Sequence, residues 1–166
     1  MREDRGVGYI KEYGFIPYDK SDEPEVVSRC MEHAIADASL AKVAKMQGDA
    51  EAAEYFGNRS KSWGKYYDPS VRLVRARAAD GTWREPFDPY LARHYADFSE
   101  GNAWQYTWLV PHDVQTLVDT LGGPEHFTAK LDTFFVEEGD RSNFGVDVTG
   151  LIGQYGVRAI IGKGGL

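Results

Sequence analysis

Cysteine is nearly absent from this 166-residue sequence, and the lone Cys30 limits the chemistry available to it. It can close no disulfide within the chain and has no cysteine partner for a zinc pair. On a helix face it reads as a small buried hydrophobe, and it speaks neither for nor against an oxidising compartment. Positive charge is also short: 19 Lys and Arg stand against 26 Asp and Glu, a net charge of −7. A nucleic-acid binder needs a basic face to neutralise phosphates, so that class is excluded, and mild acidity chiefly favours solubility. No apolar run approaches the roughly 18 residues that span a bilayer, so no membrane partner is expected. The opening Met1-Arg2-Glu3-Asp4-Arg5 is charged and leads into no apolar stretch, so no secretory signal is expected within this chain.

Familiar motifs are missing as well. The histidines, His33, His94, His112 and His126, never fall at HxxxH spacing. Gly156 and Gly162-Lys163 miss phosphate-loop spacing by one residue, and Gly164 stands where Ser or Thr would hold magnesium. Gly150, Gly153 and Gly156 follow no strand pattern, which argues against a dinucleotide fold. No serine sits in a nucleophile elbow.

What is present is helical periodicity and an excess of aromatics. Tyr9 to Asp19 reads as loop, with Gly14 and Pro17. A helix is expected from Pro24, with acidic residues in its first turn and Val27, Cys30, Met31, Ala34, Ile35, Ala38 and Ala41 on its apolar face. Gly48 ends it and Asp49 caps a second helix, whose apolar face carries Ala52, Tyr55, Phe56, Trp63 and Tyr66 or Tyr67 until Pro69 stops it. So short a turn predicts antiparallel packing. Val71, Leu73 and Arg75 alternate ahead of Asp80-Gly81 and Trp83, which predicts a small β-hairpin. Pro86 to Pro89 is loop. A third helix is expected from His112 or Asp113 to Gly122-Gly123. A fourth is expected from Pro124 to Gly139, with Phe127, Leu131, Phe134 and Phe135 on one face. Beyond Gly139 the chain is Gly-rich.

Aromatic residues make up 13% of the chain, and they concentrate in one segment. Phe98-Ser99-Glu100-Gly101-Asn102-Ala103-Trp104-Gln105-Tyr106-Thr107-Trp108 leads into Leu109-Val110-Pro111-His112-Asp113. Gly101 permits close backbone approach beside Glu100. Asn102 and Gln105 each donate and accept, which suits recognition of hydroxyl groups. Trp104 and Trp108 share a face if the segment is helical. Indole walls around Glu100 would exclude water and raise its pKa, as a general acid at neutral pH requires. The plainer alternative has Glu100 at a helix start and both Trp residues in the core. Residue types alone leave both open.

This segment closely resembles the core motif of glycoside hydrolase family 92. Other landmarks of that family occur in the same order: Gly14 to Lys20, Ala36 to Gly48, Tyr67-Asp68-Pro69, Pro86 to Pro89, Leu121-Gly122-Gly123 and Gly150 to Tyr155. The resemblance implies an inverting, calcium-dependent α-mannosidase that removes terminal α-linked mannose from glycans. It also implies a mainly α fold: a partial (α/α)₆ toroid of helix hairpins with a small β-hairpin insertion, over residues 1–155. By that resemblance Glu100 is the general acid. Asn102, Trp104, Gln105, His112 and Asp113 are cleft neighbours that bind substrate, and calcium is the cofactor, with ligands that the sequence does not identify. Many members are exported, and the compartment of this chain is left open.

After Tyr155 the resemblance stops. Residues 156–166 form a divergent tail with no His, carboxylate or amide side chain, whereas the family continues there into further sugar-binding motifs. The expectation is a segment that carries the acid without the base, inactive alone, whose uncovered helix faces favour self-association. Two other functions are weighed beside it: a non-catalytic carbohydrate-binding module, and a helical interaction module whose indoles are core.

Overall fold

A computed structural model describes residues 6–92 and 96–137. The expectations placed on His94, on Gly150 to Tyr155 and on the tail at 156–166 lie outside the described residues. Six α-helices dominate those residues: α1 Val7–Tyr13, α2 Val26–Met46, α3 Ala50–Arg59, α4 Ala103–Tyr106, α5 Val114–Thr120 and α6 Pro124–Val136. A 3₁₀ segment, Ser60–Lys65, continues α3, and two short strands follow it, β1 Tyr67–Asp68 and β2 Leu73–Val74. The predicted class, mainly helical with a small β insertion, holds.

Helix α2 is the spine. Val27, Cys30, Met31 and Ala34 lie on one face and are fully buried, as the periodicity predicts. Its start is displaced from the expected position, since Pro24 lies two residues before the first helical residue and Glu25 occupies the cap in a left-handed conformation, φ 62°. The orphan amides of the first turn find partners far along the chain. Glu25 donates to the Ala96 carbonyl at 2.7 Å and Val27 to the Asp97 carbonyl at 3.2 Å. The 96–99 segment is thereby docked on the helix start.

Asp49 caps α3 as expected, its Oδ1 accepting from the Ala52 amide at 3.0 Å. The apolar face foreseen for this second helix is buried only at its far end. Within α3 no residue falls in the core, and Tyr55 is exposed. The predicted Trp63 and Tyr66 are buried, Trp63 in the 3₁₀ segment and Tyr66 directly after it. Tyr66 Oη donates to the Ile16 carbonyl at 2.8 Å and accepts from the Ile16 amide at 3.0 Å. Burial pushes that phenol well above its usual pKa.

Two local readings need correction. The stretch read as loop from Tyr9 begins within α1, which carries buried Ile10 and lies between left-handed Gly6 and Gly14. Seven residues are too few to be helical on propensity alone. Packing of Ile10 and a bond from Tyr9 Oη to the Lys20 carbonyl, 2.7 Å, hold them. The hairpin pairs Tyr67 with Val74 and Asp68 with Leu73, so its strands start earlier than the alternation suggested. The Asp80-Gly81 turn closes a single bridge, Arg77 to Trp83.

Along α2 and beyond, Leu40, Val43, Met46, Phe135 and Val136 remain exposed.

Candidate active site

The aromatic segment folds as a loop followed by one helical turn, α4, and its chemistry follows from how that loop is pinned. Ser99 donates its amide to Ser28 Oγ at 2.7 Å, and its carbonyl accepts from Tyr106 Oη at 2.8 Å. Three residues on, Asn102 opens α4 with a reciprocal capping box. Its Oδ1 accepts from the Gln105 amide at 3.1 Å, and its own amide donates to Gln105 Oε1 at 3.0 Å. Glu100 lies between these two fixed points with φ 50°, a left-handed backbone that a non-glycine residue adopts only when its surroundings impose it. Gly101 is required for close packing: a Cβ there would sit 2.9 Å from Gln105 Oε1 and 2.9 Å from Tyr106 Cε2.

The Glu100 side chain is exposed. The two indoles expected to wall it in have other neighbours. Trp108 packs edge-on against Phe127, centroids 5.4 Å apart, and against Phe134 at 5.8 Å. Trp104 stacks on Tyr90 at 6.3 Å and receives the Lys130 ammonium 4.6 Å from its ring centre. Both indoles therefore meet α6, Trp104 from within α4 and Trp108 from the turn after it. Shielding of Glu100 by these rings is not what the described residues provide, because burying two indoles against α6 removes far more apolar surface from water than covering one carboxylate would.

Asn102 is fully buried, and its Nδ2 has no hydrogen-bond partner among the described residues. His112 and Asp113 face the 3₁₀ segment. His112 Nε2 donates to the Ser60 carbonyl at 3.0 Å, which assigns the proton to that nitrogen, and Nδ1 is buried without a partner among the described residues. Asp113 Oδ2 accepts from Trp63 Nε1 at 3.2 Å. Glu100, Asn102 and Gln105 are thus held within one loop and turn. His112 and Asp113 anchor the end of the motif to α3 and the 3₁₀ segment. Thr107 joins the motif to the sheet, accepting from the Val74 amide at 3.0 Å while donating to the Ala103 carbonyl at 2.7 Å.

Three residues before Glu100, Asp97 lines a cleft of about 320 Å³ with Arg84, Tyr18 and Glu25. Asp97 is paired with Arg84, which also lies over the Tyr18 ring at 4.4 Å. Burial raises the Asp97 pKa, and the guanidinium offsets only part of that. On the far side of Trp104, Tyr90 Oη donates to Glu137 Oε1, and Lys130 is half-buried. Burial, with the charge of Arg72, pushes the Lys130 ammonium down to about 8. Tyr90 is pushed up to about 12 by burial and by its carboxylate partner.

Ser28, Tyr106, Asp97, Tyr90 and Lys130 are absent from the sequence-level list of site residues. Only Tyr106 carried a signal, since a phenol next to a buried turn needs a partner for its hydroxyl. Among the described residues no three or more His, Cys, Asp or Glu side chains converge as metal ligands. A calcium ion takes six to eight oxygens, from carbonyls and water as well as carboxylates.

Comparison with known proteins supplies the remaining context. An inverting mannosidase of family GH92 from Bacteroides thetaiotaomicron superposes with a TM-score of 0.74 at 28% identity, over 96% of this chain and 21% of that one. An α-mannosidase of the same family and organism, solved with mannoimidazole, gives a TM-score of 0.81 at 35% identity, over 93% and 21%. An uncharacterised secreted glycosidase of Arthroderma benhamiae is 27% identical over 150 residues, 77% of this chain and 19% of the relative. The chain thus spans about a fifth of the length of the relatives it matches. The profile of the glycosyl hydrolase family 92 catalytic domain covers residues 1–158, and the chain belongs to that family.

Proposed function

We propose that this chain supplies the proton-donating segment of an α-mannosidase active site, with Glu100 as general acid in an inverting cleavage of terminal α-linked mannose. One observation carries the reading: the Glu100-Gly101 loop is held at both flanks, at Ser99 and at Asn102, while the carboxyl itself stays exposed to a ligand. Fixing the loop while freeing the acid is what positioning of a proton donor requires.

Glu100 gives its proton to the departing glycosidic oxygen while water attacks the anomeric carbon from the opposite face. In an inverting pair the base stands roughly 6.5–9.5 Å away to admit that water. The base is not assigned within this chain. Asn102 and Gln105 hold the turn that carries Glu100. Calcium would help bind sugar hydroxyls, and no step here runs through it.

The 166-residue chain is expected to show no turnover of an aryl α-mannoside, with or without calcium, and Glu100→Gln should match it. Within a complete catalytic domain, Glu100→Gln should lower kcat on a poor leaving group by at least about 10²-fold, the lower range of acid–base effects. Near-native turnover by that variant removes Glu100 from the acid role. The exposed apolar residues of α2 favour self-association of the isolated chain, which sedimentation velocity measures; a monomer at high concentration overturns it.

A further inference from the structure

Ser99 is unusual in having both backbone polar groups held by side chains from two different elements. Ser28 stands in the first turn of α2 and is 1% exposed. A serine there commonly caps its own helix. Its Oγ instead accepts from the Ser99 amide, 71 residues along the chain. From the other side Tyr106 of α4 donates to the Ser99 carbonyl, and its ring packs against Phe98 with centroids 5.2 Å apart. The Val27 amide meets the Asp97 carbonyl, so α2 holds this strand of loop at consecutive points.

The capping box at Asn102 is local and explains the start of α4 without further help. The Ser28 and Tyr106 bonds do not serve a helix. They fix the one residue that directly precedes the left-handed Glu100. A backbone in that region costs of order 1–3 kcal/mol and persists where its neighbours over-determine it. Removing Ser28 Oγ or Tyr106 Oη would let Ser99 turn and Glu100 relax toward an extended conformation, which re-aims its carboxyl.

We infer that Ser28 and Tyr106 are positioning residues that clamp Ser99 and thereby set the direction of the Glu100 carboxyl. The inference rests on Glu100 being the proton donor. It places the first turn of α2, remote in sequence from the motif, within the machinery of the reaction.

Two variants that each delete a single oxygen test it, Ser28→Ala and Tyr106→Phe. In the 166-residue chain, amide exchange should accelerate roughly tenfold or more at Ser99, while Val74, held by Thr107, keeps its protection. Unchanged exchange at Ser99 overturns the clamp whether or not the preparation turns over. In a complete catalytic domain carrying this chain, two α-mannosides with different leaving groups separate positioning from general damage. A dinitrophenyl leaving group departs without a proton, and an alkyl-like one needs it. Ser28→Ala should lose at least about tenfold in kcat on the poor leaving group, little on the good one, with KM unchanged, and Ser28→Thr should restore it. Equal losses on both substrates overturn the positioning role. Glu100→Gln is the control: if it shows no leaving-group dependence, the acid assignment fails, and the exchange data still report on the clamp.

Discussion

Arg59 closes on Asp37 with two parallel bonds, Nε to Oδ2 at 2.7 Å and Nη2 to Oδ1 at 2.6 Å, and this fork joins α3 to α2. Asp37 is 1% exposed, and the guanidinium lies over the Tyr55 and Phe56 rings, 5.4 Å from each centre. Because α3 buries no residue of its own, the fork carries much of its attachment. Removing Arg59 leaves the Asp37 carboxylate buried and uncompensated, so Arg59→Ala should cost about 3–5 kcal/mol in urea unfolding. Arg59→Lys should recover little, since an ammonium cannot form both bonds at once. A loss under about 1 kcal/mol for either variant contradicts this account.

Gly101 makes a second stability prediction, one that touches the site. An alanine Cβ would meet Gln105 Oε1 and Tyr106 Cε2, each at 2.9 Å. One is half of the capping box and the other is a packed ring, so the strain has nowhere inexpensive to go. Gly101→Ala should destabilise by about 1–3 kcal/mol. Adding Gln105→Ala should cost less than the sum of the single changes, because the first variant already disturbs that contact. Strict additivity in denaturant midpoints would show that the alanine methyl group is accommodated elsewhere.

Local signals told much of the fold. The apolar stripe of α2, the Asp49 cap and the Pro124 start of α6 each depend on residues a few positions apart, and the structure has all three. Asn102 and Gln105, read in the sequence as amides suited to hydroxyl groups, instead close a capping box on each other. What escaped depends on distance along the chain. Helix α1 exists because Ile10 is buried by residues that follow much later, and nothing within its seven residues announces it. Ser28 meets Ser99 across 71 positions, so no spacing reveals the pair. The indoles were ambiguous in principle. A Trp serves a core or a cleft with the same residue type, and only the positions of Phe127, Phe134 and Lys130 on α6 decide where Trp108 and Trp104 point.

Acid stability should depend on Asp68, whose side chain is 2% exposed. Burial raises its pKa, but Ser70 donates to Oδ1 from both Oγ, 2.6 Å, and its amide, 2.9 Å, and Arg75 donates to Oδ2 at 3.0 Å. These donors outweigh the burial and hold the carboxyl below its usual value. A folded pKa below the unfolded one stabilises above the unfolded value, about 3.9, and that contribution is lost as pH falls through the folded value. Between pH 5 and 2, Asp68→Asn should lose less stability than the unaltered chain. Parallel acid limbs in urea midpoints would assign the effect to other groups.

Lys130 should act with the same sign at alkaline pH, for a different reason: the fold disfavours its charged form. Its ammonium is half-buried over Trp104, and burial, with Arg72 nearby, brings its pKa to about 8. The unfolded value is about 10.4. Between the two, the unfolded chain binds more protons than the folded one, so this group makes stability rise as pH climbs through 8. Tyr90, on the same indole and pushed up to about 12, opposes the rise above pH 10, where the unfolded phenol ionises first. The window for Lys130 is therefore pH 8 to 10. Lys130→Met keeps the stem against the ring and removes the titration. Measured by urea unfolding at pH 7 and 9.5, the unaltered chain should gain stability relative to Lys130→Met across that interval. A difference that stays constant with pH would mean the amine remains charged in the fold, with the Trp104 face compensating for the lost water.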